Sequence, residues 1–139
     1  MKYIRVLLFA LLAFVSCTNG PDPIEPKNTY SVENLTDVDI IAHYTILADY
    51  VFWEQPRKNY TDSCLISADT ITNLPLDKYG FYVSDSPSEL FERIVFISTN
   101  GDTLLHLYPI EDSLWEDSIS VSDYGYQVRN HHWLYKFSK

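Results

Sequence analysis

The chain has 139 residues and sets 10 Lys and Arg against 19 Asp and Glu, a formal charge of −9. That length supports one domain with a single core, and the acid excess disfavours nucleic acid and anionic lipid surfaces as partners. At 46% hydrophobic residues, the body of the chain is too apolar to stay disordered.

In chain order, Lys2 and Arg5 precede an unbroken apolar run, Val6 to Val15. A membrane-spanning helix needs about 20 such residues, so the run has the length of an export-signal core. It ends in Phe14-Val15-Ser16-Cys17. This tetrapeptide resembles the lipobox of bacterial lipoproteins, with Phe14 where leucine is usual. The resemblance implies cleavage before Cys17, acylation of Cys17, and a firm hold on the membrane through several acyl chains. Residues 1–16 then form the signal peptide, 17–29 the lipidated cysteine and a Pro-rich tether, and 30–139 the domain. Pro21, Pro23 and Pro26 favour extended backbone, and at about 3 Å per residue the tether would lift a domain some 30 to 40 Å. Losing Lys2 and Arg5 with the signal leaves 8 basic residues against the 19 acidic, a charge of −11. With Cys17 acylated, Cys64 reads as a small hydrophobe within Cys64-Leu65-Ile66, and no neighbouring base lowers its pKa.

From Tyr30 onward the hydrophobic period is two, the signature of half-buried strands. Alternation predicts strands at Tyr30–Leu35 and Val38–Ile46, the latter placing Val38, Ile40, Ala42, Tyr44 and Ile46 on one face and His43 on the other. Further strands are predicted at Tyr50–Trp53, Cys64–Ile66, Thr70–Thr72 and Gly80–Val83, with Glu54 to Ser63 as a polar loop. Ser86-Pro87-Ser88-Glu89 fits a capping box with proline at the first helical position, heading one or two helical turns. Arg93–Ser98 and Asp102–Tyr108 flank Asn100-Gly101, a sequence suited to a two-residue hairpin turn. The apolar run Ile94–Ile97 predicts a central strand covered on both faces. Ser113 to Glu116 suggests a short turn, and Tyr124–Val128 and His132–Phe137 two closing strands, with Trp133, Tyr135 and Phe137 sharing a face. The expected fold is all-β: a small sandwich or open barrel of about eight short strands.

No motif in the chain commits it to a chemistry. His43, His106, His131 and His132 lack zinc-ligand spacing, and the adjacent pair points to opposite sides of a strand, so no metal or other cofactor is expected. Neither a Gly-x-Ser-x-Gly elbow nor a phosphate-cradling glycine loop occurs. Glu111, Asp112, Glu116 and Asp117 surround Trp115 and read as a solvated acidic loop with the indole packed inward. The catalytic alternative is a carboxylate pair for glycan hydrolysis. Trp53 and Trp115 are the aromatics to consider as binding platforms, against the ordinary use of aromatics in strand packing. The triplet Asp, then Ser or Thr, then an apolar residue recurs at Asp69-Thr70-Ile71, Asp102-Thr103-Leu104, Asp112-Ser113-Leu114 and Asp117-Ser118-Ile119. It resembles the O-glycosylation acceptor of Bacteroidetes-type exported proteins, and would mark Thr70, Thr103, Ser113 and Ser118. A turn Asp entering a strand gives the same triplet. Asn34-Leu35-Thr36 and Asn59-Tyr60-Thr61 match the N-glycosylation acceptor, which a bacterial setting makes irrelevant.

The basic start, apolar run, Ser16-Cys17 and proline-rich spacer together resemble the small lipoproteins of Bacteroidetes. Asn34-Leu35-Thr36-Asp37, Asp102-Thr103-Leu104 and Trp133-Leu134-Tyr135 add a weaker likeness. The resemblance implies an envelope location, attachment to outer-membrane lipid through Cys17, and a β domain. It implies no activity. The expected role is a non-enzymatic binding or structural module whose partner is an envelope protein or a glycan, not nucleic acid. The alternatives are a small glycan hydrolase using the loop carboxylates, or an enzyme inhibitor presenting the Glu54 to Asp62 loop.

Overall fold

The computed structural model describes residues 27–47, 59–76, 86–123 and 127–138. Within them lie eight strands: β1 (Thr29–Asn34), β2 (Ile40–Ile46), β3 (Tyr60–Ile66), β4 (Ile71–Asn73), β5 (Phe91–Ser98), β6 (Thr103–Leu107), β7 (Trp115–Asp123) and β8 (Gln127–Phe137). They form two four-stranded sheets, β4-β1-β8-β7 and β3-β2-β5-β6, in a β-sandwich. Every pairing is antiparallel except one: β1 runs parallel to β8, from Thr29 opposite His132 to Asn34 opposite Phe137. The expected strands Tyr50–Trp53 and Gly80–Val83, together with Cys17 and Trp53, lie outside the described residues.

Alternation in the sequence translates directly into the core. Tyr30 and Val32 of β1, Ile40, Ala42, Tyr44 and Ile46 of β2, and Ile94 and Phe96 of β5 are buried between the sheets. Phe91 is the aromatic hub. Its ring meets Tyr30 at 5.4 Å and Tyr44 at 5.9 Å edge-on, and stacks with Trp115 at 6.2 Å, so one side chain ties β1 and β7 of one sheet to β2 of the other. Such pairs add to the gain from area burial. β5 does lie inside its sheet, between β2 and β6, but its outward residues Val95 and Ile97 are only half-buried.

At one end of the sandwich two corners are stitched together by Asn34. Its side chain is fully buried at 0% exposure. Its Nδ2 donates to the carbonyl of Val38 at 2.8 Å and to those of Ile66 and Ser67 at 3.3 Å. Its Oδ1 accepts from the backbone N–H of Thr36 at 3.1 Å and from the Thr36 hydroxyl at 2.8 Å. The Asn34-Leu35-Thr36 sequence thus serves as the turn that carries the chain from the first sheet to the second. The return corner is held by Asp69, whose φ of 53° is a left-handed conformation that Asp tolerates, and by its N–H donating to the Thr36 carbonyl.

Six expectations are corrected. Val38 lies in the corner and is exposed, β2 beginning at Ile40. Tyr60 to Ser63, expected in a loop, belong to β3, in register with β2 from Ile46 to His43. The Asn100-Gly101 hairpin has a three-residue connection: Gly101 N–H donates to Ser98 O, and Ser98 N–H to Asp102 O. Only Gly101 has a positive φ there (92°), whereas a type I′ turn needs one at Asn100 as well. The helix α1 (Pro87–Leu90) has Pro at its start but no Ser86 side-chain cap. Asp112 supplies the acceptor instead, taking the Ser88 N–H at 2.8 Å and hydroxyl at 2.9 Å. Glu116 and Asp117, expected in the acidic loop, belong to β7. Finally, the closing region is one strand, β8, which pairs with β7 continuously from Trp115 opposite Tyr135 to Asp123 opposite Gln127.

Asn34→Ala strands the Thr36 N–H and removes a donor shared by three carbonyls, of which Val38 and Ser67 keep the Thr36 and Thr70 hydroxyls, so a loss of about 1 to 3 kcal/mol is expected by urea denaturation. Asn34→Asp should cost more at neutral pH, since it turns a donor facing three carbonyls into a buried negative charge.

Candidate functional site

The far half of β7 and β8 lies outside the main core cluster, and Val128 is its buried apolar residue. β1 joins β8 in register only from His132 onward. Ile119–Asp123 and Gln127–His131 therefore continue as a two-stranded ribbon beyond the four-stranded sheet. Every side chain from Glu116 to Val121 is exposed, including Ile119 at 52% and Val121 at 55%.

A two-stranded ribbon is marginal by itself, and its base is fastened on both faces. On one face His132 bridges three neighbouring strands. Its Nδ1 lies 2.9 Å from the Thr29 hydroxyl on β1, and its Nε2 lies 2.8 Å from the Ser120 hydroxyl on β7. On the other face His131 Nδ1 lies 2.9 Å from Asp117 Oδ2, and its ring stacks on Trp133 at 6.0 Å. Two asparagines complete the base: Lys27 N–H donates to Asn130 Oδ1, and His131 N–H to Asn28 Oδ1, each at 2.8 Å. The histidines expected on opposite sides of a strand are so placed, each with its own partner. Among the described residues no cluster of three or more His, Cys, Asp or Glu is placed to hold a metal ion.

Three of the four carboxylates of the acidic segment, Asp112, Glu116 and Asp117, are each drawn to a different partner. Asp112 is engaged by Ser88. Glu116 pairs with Lys136 at 2.7 Å on one face of β7, and Asp117 points to the other face toward His131. Adjacent strand residues cannot share a pocket on one side of a sheet. Trp115 is packed inward, as expected for this segment, at 6% exposure. Its ring stacks on Phe91 and meets Tyr135 at 5.4 Å, leaving no face for a ligand, so it is corrected as a binding platform. Its Nε1 is the one buried side-chain polar atom among the described residues left without a hydrogen-bond partner.

All four triplet hydroxyl residues are exposed: Thr70, Thr103, Ser113 and Ser118. Three sit at turn exits or in a turn, where the preceding Asp has a structural use. Thr70 follows the left-handed Asp69 and donates to Ser67 O, Thr103 opens β6, and Ser113 lies in the 3-10 turn Asp112–Leu114. Ser118 stands apart, in mid-strand on β7. No family model, curated protein or solved structure matches the chain.

The sequence missed the ribbon because a strand with both faces in water has no apolar alternation to read. The available signal was Ile119-Ser120-Val121, β-branched residues at period two opposite the polar run Gln127 to His131.

Two outcomes follow. Trp115→Phe gives up area but removes the stranded N–H, so its cost should stay within about 1 kcal/mol, against about 3 to 5 for Trp115→Ala, both read from urea midpoints. Burial raises the Tyr135 pKa, and the hydrogen bond and charge of Glu116 raise that of Lys136. Both groups favour the folded protein below their ordinary values, and that stability fades as pH rises from about 10 through the raised values. Urea midpoints should fall above about pH 10, less steeply in Tyr135→Phe and slightly less in Glu116→Gln, whose ammonium partner is solvent-exposed.

Proposed function

We propose that the protein is a non-enzymatic binding or structural module of the bacterial cell envelope, held to the outer membrane by lipid on Cys17, and that the β7–β8 ribbon is the surface it presents. The observation that carries this reading is the exposure of Ile119 and Val121 on one face of a ribbon outside the main core cluster, whose buried Val128 lies on the opposite face. Apolar side chains in water gain by being covered, at roughly 25 cal/mol per Å². The base of the ribbon is pinned by His131, His132, Asn28 and Asn130, so it is held ready for a partner. The partner class is another envelope protein or a glycan. The lipid anchor is supported by Val6 to Val15 and Ser16-Cys17. Exposed Thr70, Thr103, Ser113 and Ser118 are the positions at which an O-glycan would attach.

Cys17→Ser should move the protein from the membrane pellet to the soluble fraction of native cells; a variant that still pellets would remove the anchor from this reading. A photo-crosslinking residue at Ile119 in native cells should give a discrete adduct, and one at Ser63 on the other sheet should not. Equal, diffuse labelling from both positions would show that the ribbon is not the presented surface.

A further inference from the structure

We propose that the outer edge of β7 takes up an extended, basic polypeptide by strand addition, which rests on the reading of the ribbon as the presented surface and names its partner. β7 pairs with β8 along one side only, and among the described residues nothing pairs with the backbone of Glu116 to Ser122 on the other side. In an edge strand alternate N–H and C=O groups point outward, a template for another chain.

Edges in stable proteins are blunted by shortness, bulges, proline or lysine. Of the three other edges of this sandwich among the described residues, two follow that rule, and β3, seven residues in unbroken register with β2, is shorter than β7. β4 has three residues. β6 has five, with a register shift against β5 between Phe96 and Ile97. β7 follows none of it. It has nine residues, contains no Pro, Gly or Lys, and keeps its register against β8 without a shift from end to end.

The side chains select the partner. One face of β7 offers Asp117, Ile119 and Val121, and the other Glu116, Ser118, Ser120 and Ser122. An antiparallel newcomer meets matching surface if it has β-branched residues opposite Ile119 and Val121 and Lys or Arg opposite Asp117 and Glu116. A second copy of this chain is a poor fit. The self-pairing that sets Ile119 on Val121 also sets Asp117 on Asp123 twice, and the one that sets Ile119 on Ile119 places Asp117 opposite Val121 and offers no cation to either carboxylate. It also brings together two chains of formal charge −9. Main-chain bonds would supply affinity, and Glu116 and Asp117, accessible beside their present partners Lys136 and His131, the choice of partner.

The test uses the full-length protein in neutral detergent micelles, titrated with the peptide Thr-Val-Thr-Val-Thr-Lys-Lys and with its Thr-Val-Thr-Val-Thr-Glu-Glu counterpart. The lysine peptide is expected to bind at least about 10-fold tighter, with the gap narrowing as salt is added. NMR shifts should fall on amides of Glu116 to Ser122. Ile119→Lys combined with Val121→Lys places two cations on an exposed edge without touching the core, and should weaken the lysine peptide at least about 10-fold. Leu65→Lys, exposed on the other sheet, should leave binding unchanged. Equal affinity for both peptides, shifts centred elsewhere, or self-association of the free protein in sedimentation would overturn the proposal. A discrete crosslink from Ile119 in cells alongside a failed titration would retain the ribbon as the presented surface while removing basic strand addition. Loss of both would remove the two together.

Discussion

The structure depends on the parallel pairing of β1 with β8. Those six pairs join residues about 100 positions apart, and they place β1 between β8 and β4. Without β1 the short β4 has no neighbour, Tyr30 does not reach Phe91, and Asn34 does not reach the two corners it closes. Local contacts cannot supply this pairing, so its loop-closure entropy must be offset by the core it completes. The aromatic hub around Phe91 supplies much of that compensation, because it draws on β1, β2 and β7 at once.

Where a strand has one face on that core, the sequence announces it. β1 and β2 were legible from alternation, β5 from its apolar run, β6 from the Asn100-Gly101 turn, and Trp133, Tyr135 and Phe137 from their shared face. β7 was not, because Glu116 to Asp123 has water on both sides and mixes acids, serines and two isolated β-branched residues. The same physics split β8 in two: Arg129 to His131 lies beyond the third strand, so its residues carry no core period. The asparagine corner was visible as Asn34-Leu35-Thr36 but not its use, which depends on carbonyls at Val38, Ile66 and Ser67 contributed by other segments. The capping box failed for a comparable reason. A carboxylate from Asp112, 24 residues away, took the place of the local one.

The candidate site was therefore only partly legible. Exposure of Thr70, Thr103 and Ser113 could be anticipated from turn chemistry, and Trp115 packing inward from its place as the large aromatic in an acidic segment. Distribution of the acids could not. Composition reports a strongly acidic chain, but the fold assigns Glu116 to Lys136, Asp117 to His131 and Asp112 to the start of α1. What remains is a scaffold whose charges are mostly matched at the base of the ribbon, with apolar side chains left open further along it.

The direction of β1 has a mechanical consequence. β1 enters beside the ribbon's base and runs the same way as β8, so the incoming chain and the ribbon's far end point to the same pole. A tug on the chain ahead of Lys27 acts along the axis of β1. Its hydrogen bonds to β8 and β4 are then loaded together in shear, and cannot be unzipped one after another. That holds for a load borne at the opposite pole, by the Phe137 end of β8. A load held at the ribbon's far end would instead peel β1 from β8 beginning at Thr29 and His132, so the seam is strong toward one pole and weak toward the other.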